Sequence, residues 1–142
     1  MEVHINYLGV FLAALSSMAV GALWYSPTGF FEIWQKLARI KHDPMKMEPS
    51  QMAVMYGTVF IASLIMAYVL AHVTFVMNAF FKDSFLMDAL STGFWLWFGF
   101  TATRIYVHDI FEARSIKLTL LNSMHELTTV LVMALIIGAM GA

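Results

Sequence analysis

Residues 117–142, KLTLLNSMHELTTVLVMALIIGAMGA, decide the fold. A helix needs about 20 predominantly apolar residues to cross a hydrocarbon core of about 30 Å, and this run is long enough. Yet it carries His125 and Glu126 side by side. An ionisable side chain near a helix centre costs on the order of 2.5 to 3.5 kcal/mol on insertion scales, so structure, function or both must offset the pair.

Working outward, the rest of the chain has the same character. Of its 142 residues, 61% are hydrophobic and 12% charged, against about 25% charged in a soluble domain. The expected class is all-α: a polytopic membrane protein forming a single transmembrane domain over residues 1–142, with no room for a separate soluble unit. Four spans are expected at about 5–25, 52–77, 89–108 and 118–140. Isolated strands would leave backbone groups unpaired in lipid, and no barrel-like alternation is present. A net charge of -1 with eight scattered Lys and Arg forms no basic stripe, so nucleic acid is not an expected partner. Without cysteine, disulfides, thiolate metal sites and cysteine nucleophiles are excluded.

Local punctuation supports these boundaries. Ser26-Pro27 and Gly29 close the first span, Pro49-Ser50 opens the second, Asp83-Ser84 precedes the third, and Ser115 can cap the fourth. The N-terminal run has no Lys or Arg before Lys36, so it does not read as a cleavable signal peptide. Lys36, Arg39, Lys41, Lys46, Arg104, Arg114 and Lys117 fall on one side of the spans and Lys82 alone on the other. By the positive-inside rule, the chain is expected in the cell membrane with both termini outside.

The first cytoplasmic loop is expected to hold a short interfacial helix over about residues 30–41. Phe30, Ile33, Trp34, Leu37 and Ile40 form its apolar face, and Glu32, Gln35, Lys36 and Arg39 its polar one. His42 to Pro49 reads as loop. Met45, Met47, Met52 and Met55 near His42 would suit copper(I), but Met is simply common here, and no metal or cofactor is expected.

Small residues recur every fourth position as Gly9, Ala13, Ser17 and Gly21, as Ser63, Ala67 and Ala71, and as Ala134, Gly138 and Ala142. Such stripes let helices approach closely in lipid, within one bundle or between subunits. A homo-oligomer is the favoured expectation, with partner membrane subunits as the alternative.

The polar residues inside the spans are the candidate site. Thr119, Asn122, Ser123 and Glu126 share an arc of the fourth span, with His125 farther round. In the third span Trp97, Thr101, Arg104 and His108 share another face. Antiparallel neighbours joined by a short connection would bring Arg104 to nearly the depth of Glu126, and an ion pair between them is expected. That pair could merely fix helix register, or Glu126 or His125 could titrate in a water-filled vestibule. His4 and His72 read as interfacial. No metalloprotease, phosphate-loop or triad pattern stands out, so no enzymatic activity is expected.

Gly21-Ala22-Leu23-Trp24-Tyr25-Ser26-Pro27 followed by Phe30, Phe31 and Trp34, then Gly93-Phe94-Trp95-Leu96-Trp97-Phe98-Gly99-Phe100, then Phe111-Glu112-Ala113-Arg114 and Asn122 with His125, carry a resemblance. The chain resembles an uncharacterised prokaryotic membrane protein family, the domain of unknown function numbered seventeen sixty-one. The resemblance implies a small four-helix integral membrane protein and carries no activity with it. Physically, Trp24, Tyr25 and Trp34 read as anchors at the headgroup boundary, and the aromatic third span as packing or lipid-facing surface. Two functional expectations remain. One is a homo-oligomer that binds or moves a small solute or ion with the Arg104, Asn122, His125 and Glu126 belt; the other is a non-catalytic accessory subunit of a larger membrane assembly.

Overall fold

A computed structural model describes residues 3–40 and 48–141. Lys41, His42, Met45, Lys46, Met47 and Ala142 lie outside the described residues, and with them the end of the expected interfacial helix, most of the following loop, part of the copper-type cluster and the last position of one small-residue stripe.

The four longer α-helices begin at a side-chain cap or a proline. In α1 (Tyr7–Trp24), Asn6 accepts from the Gly9 amide at 3.0 Å. Then α2 (Phe31–Ala38) follows a turn so tight that a Cβ on Gly29 would lie 2.5 Å from the carbonyl oxygens of Leu23 and Trp24. Pro49 opens α3 (Pro49–Phe81) at a position where its missing amide is harmless. Ser84 caps α4 (Phe85–Leu96), and Ser115 caps α6 (Ile116–Met140). Between α4 and α6 the chain passes through a π-helical segment, Trp97–Ala102, into α5 (Thr103–Phe111).

The rods close a ring in which α1 and α4 each pack between α3 and α6, while α2 leans on α6 at one end. Small residues make this approach possible. Ala13, Ala14, Ala67, Ala89 and Ala134 are fully buried. Ser63 Oγ donates to Val59 O and accepts from Ser17 Oγ at 2.8 Å, joining α3 to α1. A Cβ on Gly138 would meet Leu86 Cα at 2.8 Å, and one on Gly93 would meet Val130 and Ala134 at 3.2 Å. The small-residue stripes are therefore seams within one chain.

Three helices, α1, α3 and α6, are long and apolar enough to cross a membrane. Large apolar side chains such as Val54, Ile61, Ile65, Phe80 and Phe100 point outward. A surface so widely apolar suits lipid rather than water. The sequence reading of four uninterrupted spans plus an interfacial helix over 30–41 needs correction. The expected third span is split into pieces of 12, 6 and 9 residues by the π segment, and α2 covers only eight residues.

The π segment has a consequence for every residue beyond it. Trp97 and Asp109 are both buried, 7% and 6% exposed. On an uninterrupted α-helix they would lie about 120° apart, but a π turn absorbs one residue and brings them to within about 20°. Trp97 Nε1 then donates to Ser123 O at 2.9 Å, and Asp109 Oδ2 accepts from Thr119 Oγ1 at 2.7 Å, both on α6. By the same arithmetic Arg104 turns away from that face.

Candidate functional site

Where α1 ends and α6 begins, α2 and α5 enclose a groove of about 750 Å³. Tyr25, Trp34, Arg39, Arg104, His108, Asn122 and Glu126 contribute to its lining, together with the turn from Asp109 to Ser115. It is polar because this end gathers the last turn of α5, the first turns of α6 and the basic end of α2. Beyond Glu126, the buried side chains of Val130, Met133 and Ala134 close the bundle interior.

The expected belt is only partly brought together here. Glu126 and Asn122 reach the groove, and Tyr25 Oη donates to Asn122 Oδ1 at 3.5 Å. The Glu126 side chain is 34% exposed, so water entering the groove can solvate it. Arg104 and His108 line the same groove, but the Arg104 guanidinium donates to His108 Nε2 at 3.2 Å. Arg104 does not form the expected ion pair with Glu126, because the π segment rotates it off the α6-facing side. Ser123 is buried beneath Trp97, and Thr101 is half-buried within the π segment, away from the groove.

His125 has a different setting from its neighbour. Its Nδ1 lies 3.5 Å from Glu126 Oε1. The rings of Trp24 and Tyr25 pack on the imidazole with centroids 5.7 and 5.0 Å away, and a Cβ on Gly21 would lie 3.8 Å from His125 Nε2. Gly21, Trp24 and Tyr25 of the Gly21-to-Pro27 string thus pack around His125, a role beyond anchoring. Trp24 Nε1 and His125 Nε2 are buried without hydrogen-bond partners. Trp34 packs edge-on against Tyr25 at 5.1 Å and ties α2 to this cluster.

Sequence reasoning missed the acidic pair at the mouth of the groove. Arg114 Nε lies 2.6 Å from Glu112 Oε2 and 3.8 Å from Asp109 Oδ1, while Thr119 holds the other oxygen of Asp109. Asp109 is not aligned with Trp97 under ordinary helical spacing, so periodicity could not select it; the nearby Glu112-Ala113-Arg114 string was the available signal. Arg114 is thereby engaged by carboxylates. Arg39 and Arg104 have no carboxylate partner among the described residues. The groove accordingly presents guanidinium groups above a solvated carboxylate. His72, whose Nδ1 lies 3.1 Å from Tyr68 O, and His4, packed near Phe75, stand apart from it.

The family model described as Protein of unknown function (DUF1761) matches residues 8–138, and the chain belongs to that family. No curated protein and no solved structure matches it.

Proposed function

Starting from membership of a family of unknown function, we propose that this is a non-catalytic integral membrane protein whose groove binds a small polar solute bearing an anionic group. In this reading the rod from Phe85 to Phe111 is a fourth crossing despite its π segment, and α2 lies at the cytoplasmic face. The charge asymmetry supports an orientation with both termini outside a cell membrane. One chain supplies the whole groove. A homo-oligomer would pack through its outward apolar faces, because the small-residue seams are used within the bundle.

A single observation carries the proposal: Arg39 and Arg104 face the groove with no carboxylate partner among the described residues, while Glu126 and Asn122 form its polar floor. Guanidinium groups bind carboxylate or phosphate oxygens with directional, charge-assisted hydrogen bonds. Glu126 and Asn122 could then select for a hydroxyl or amine on the same solute. The closed interior beyond Glu126 makes the groove a binding site reached from one side, so any transport through it requires the helices to move.

Thermal stability of the purified protein in nanodiscs, measured across small carboxylates, phosphates and their amino derivatives, tests this. An anionic solute should raise the melting temperature of the wild type, with the gain lost in Arg104→Gln and reduced in Glu126→Gln. A panel that gives the same shifts in wild type and Arg104→Gln would sink the proposal.

The outward aromatics Phe94, Trp95, Phe98 and Phe100 favour a second reading, an accessory subunit that docks its third rod on another membrane protein. Purification at native stoichiometry separates the two, since a fixed set of foreign chains would support docking.

A further inference from the structure

Far from the groove, α3 and α4 enclose a polar cluster beside the turn that joins them. Asp88 is 6% exposed, and its Oδ2 accepts from Asn78 Nδ2 at 2.7 Å. The same amide donates to Asp83 O at 2.9 Å. Both amide protons of Asn78 are therefore used, and its Oδ1 remains an acceptor. No Lys, Arg or His among the described residues forms an ion pair with Asp88. A carboxylate buried without a counter-charge in an apolar bundle calls for a cation or a proton.

The next turn of each helix supplies further oxygens. Thr74 is 0% and Thr92 3% exposed, and neither hydroxyl has a hydrogen-bond partner. Elsewhere in the protein Thr58, Thr103, Thr128 and Thr129 bond the carbonyl one turn back. Thr74 and Thr92 leave that acceptor unused. Asn78 and Asp88 lie equally far on either side of Asp83 in the turn, and so do Thr74 and Thr92. Antiparallel helices joined by a tight turn place such positions opposite each other, and residues four apart on one face of each helix. Asn78 and Asp88 make one rung across the α3–α4 interface, and Thr74 and Thr92 hold the corresponding positions one turn farther along.

We propose that Asp88, Thr74 and Thr92, with Asn78 holding the carboxylate in place, bind a single sodium-sized alkali cation. The donors are all hard oxygens, and one carboxylate neutralises one positive charge, leaving no net charge in the bundle. A divalent ion would leave an excess positive charge there. No three His, Cys, Asp or Glu side chains gather among the described residues to balance one.

The test is the melting temperature of the full chain in nanodiscs as sodium chloride replaces choline chloride at constant ionic strength, alongside equilibrium binding of radioactive sodium. The wild type should gain a few degrees saturably with sodium and bind one ion per chain. Thr74→Val with Thr92→Val, close in shape to the native side chains, should lose both responses. Thr103→Val, which removes a hydroxyl already bonded to Gly99 O, should keep them. Asp88→Asn needs no counter-charge and should melt independently of sodium. Identical melting of the wild type in sodium and choline with no bound sodium would overturn the proposal, as would sodium responses that survive in the double valine variant.

Discussion

Adding or removing one residue in the π segment should have opposite consequences, and the contrast tests the register argument directly. Deleting Phe100, which is 72% exposed, lets the segment relax to α-helix and leaves Trp97 and Asp109 on one face. Inserting an alanine after Phe100 instead rotates α5 by about 100° relative to α4, carrying Asp109 away from Thr119. The lost contact is a 2.7 Å hydrogen bond to a buried carboxylate, a class worth about 1.5 to 3 kcal/mol. For a chain of this length each kcal/mol corresponds to about 2 to 4 °C, so the insertion should lower the melting temperature by about 5 °C. The deletion should cost much less, since it removes an outward side chain and preserves both bonds to α6.

Melting followed by circular dichroism in a fixed detergent gives the stabilities. Tryptophan emission, in a background where Trp24, Trp34 and Trp95 are replaced by Phe, reports whether Trp97 stays buried. If the deletion destabilises as much as the insertion, the π segment is not a one-residue excess and the explanation for Arg104 fails with it.

Four other outcomes are expected from stability measurements in the same detergent. Gly138→Ala should destabilise by about 1 to 3 kcal/mol because its Cβ would meet Leu86 Cα at 2.8 Å; Gly57→Ala, with nothing within 4 Å, should stabilise by up to about 1 kcal/mol. A double-mutant cycle on Arg104→Gln and Glu126→Gln should be additive within about 0.5 kcal/mol, whereas strong coupling would restore the ion pair that the structure lacks. Thr119→Val should cost about 1.5 to 3 kcal/mol, and this cost should shrink when Asp109 is already Asn.

Much of the helical framework was legible because its signals are local. Pro49, Ser84 and Ser115 mark helix starts by their own backbone chemistry, and the small-residue stripes mark seams by their size. The candidate site was less legible because its geometry depends on a hydrogen-bonding shift of one residue. The run Trp97–Ala102 looks as apolar and helical as its surroundings, so ordinary spacing put Arg104 beside Glu126 and overlooked Asp109. Trp24 and Tyr25 were read as boundary anchors for a related reason. Their packing on His125 depends on the crossing of α1 and α6, which no local pattern encodes.

The cost of placing His125 and Glu126 in an apolar helix is therefore met in two separate ways. Glu126 opens into a groove that water can enter, so its charge needs no buried counter-ion. His125 turns its ring into the aromatic cluster of Trp24 and Tyr25 while its Nδ1 stays 3.5 Å from Glu126 Oε1. This division removes the need for Arg104 as a structural partner and leaves its guanidinium facing the groove. An ion pair that served only to fix helix register would have joined the two charges; here both line the same cavity, Arg104 bonded to His108 and Glu126 open to the groove. That separation is the ground on which solute binding is proposed over a purely structural clasp.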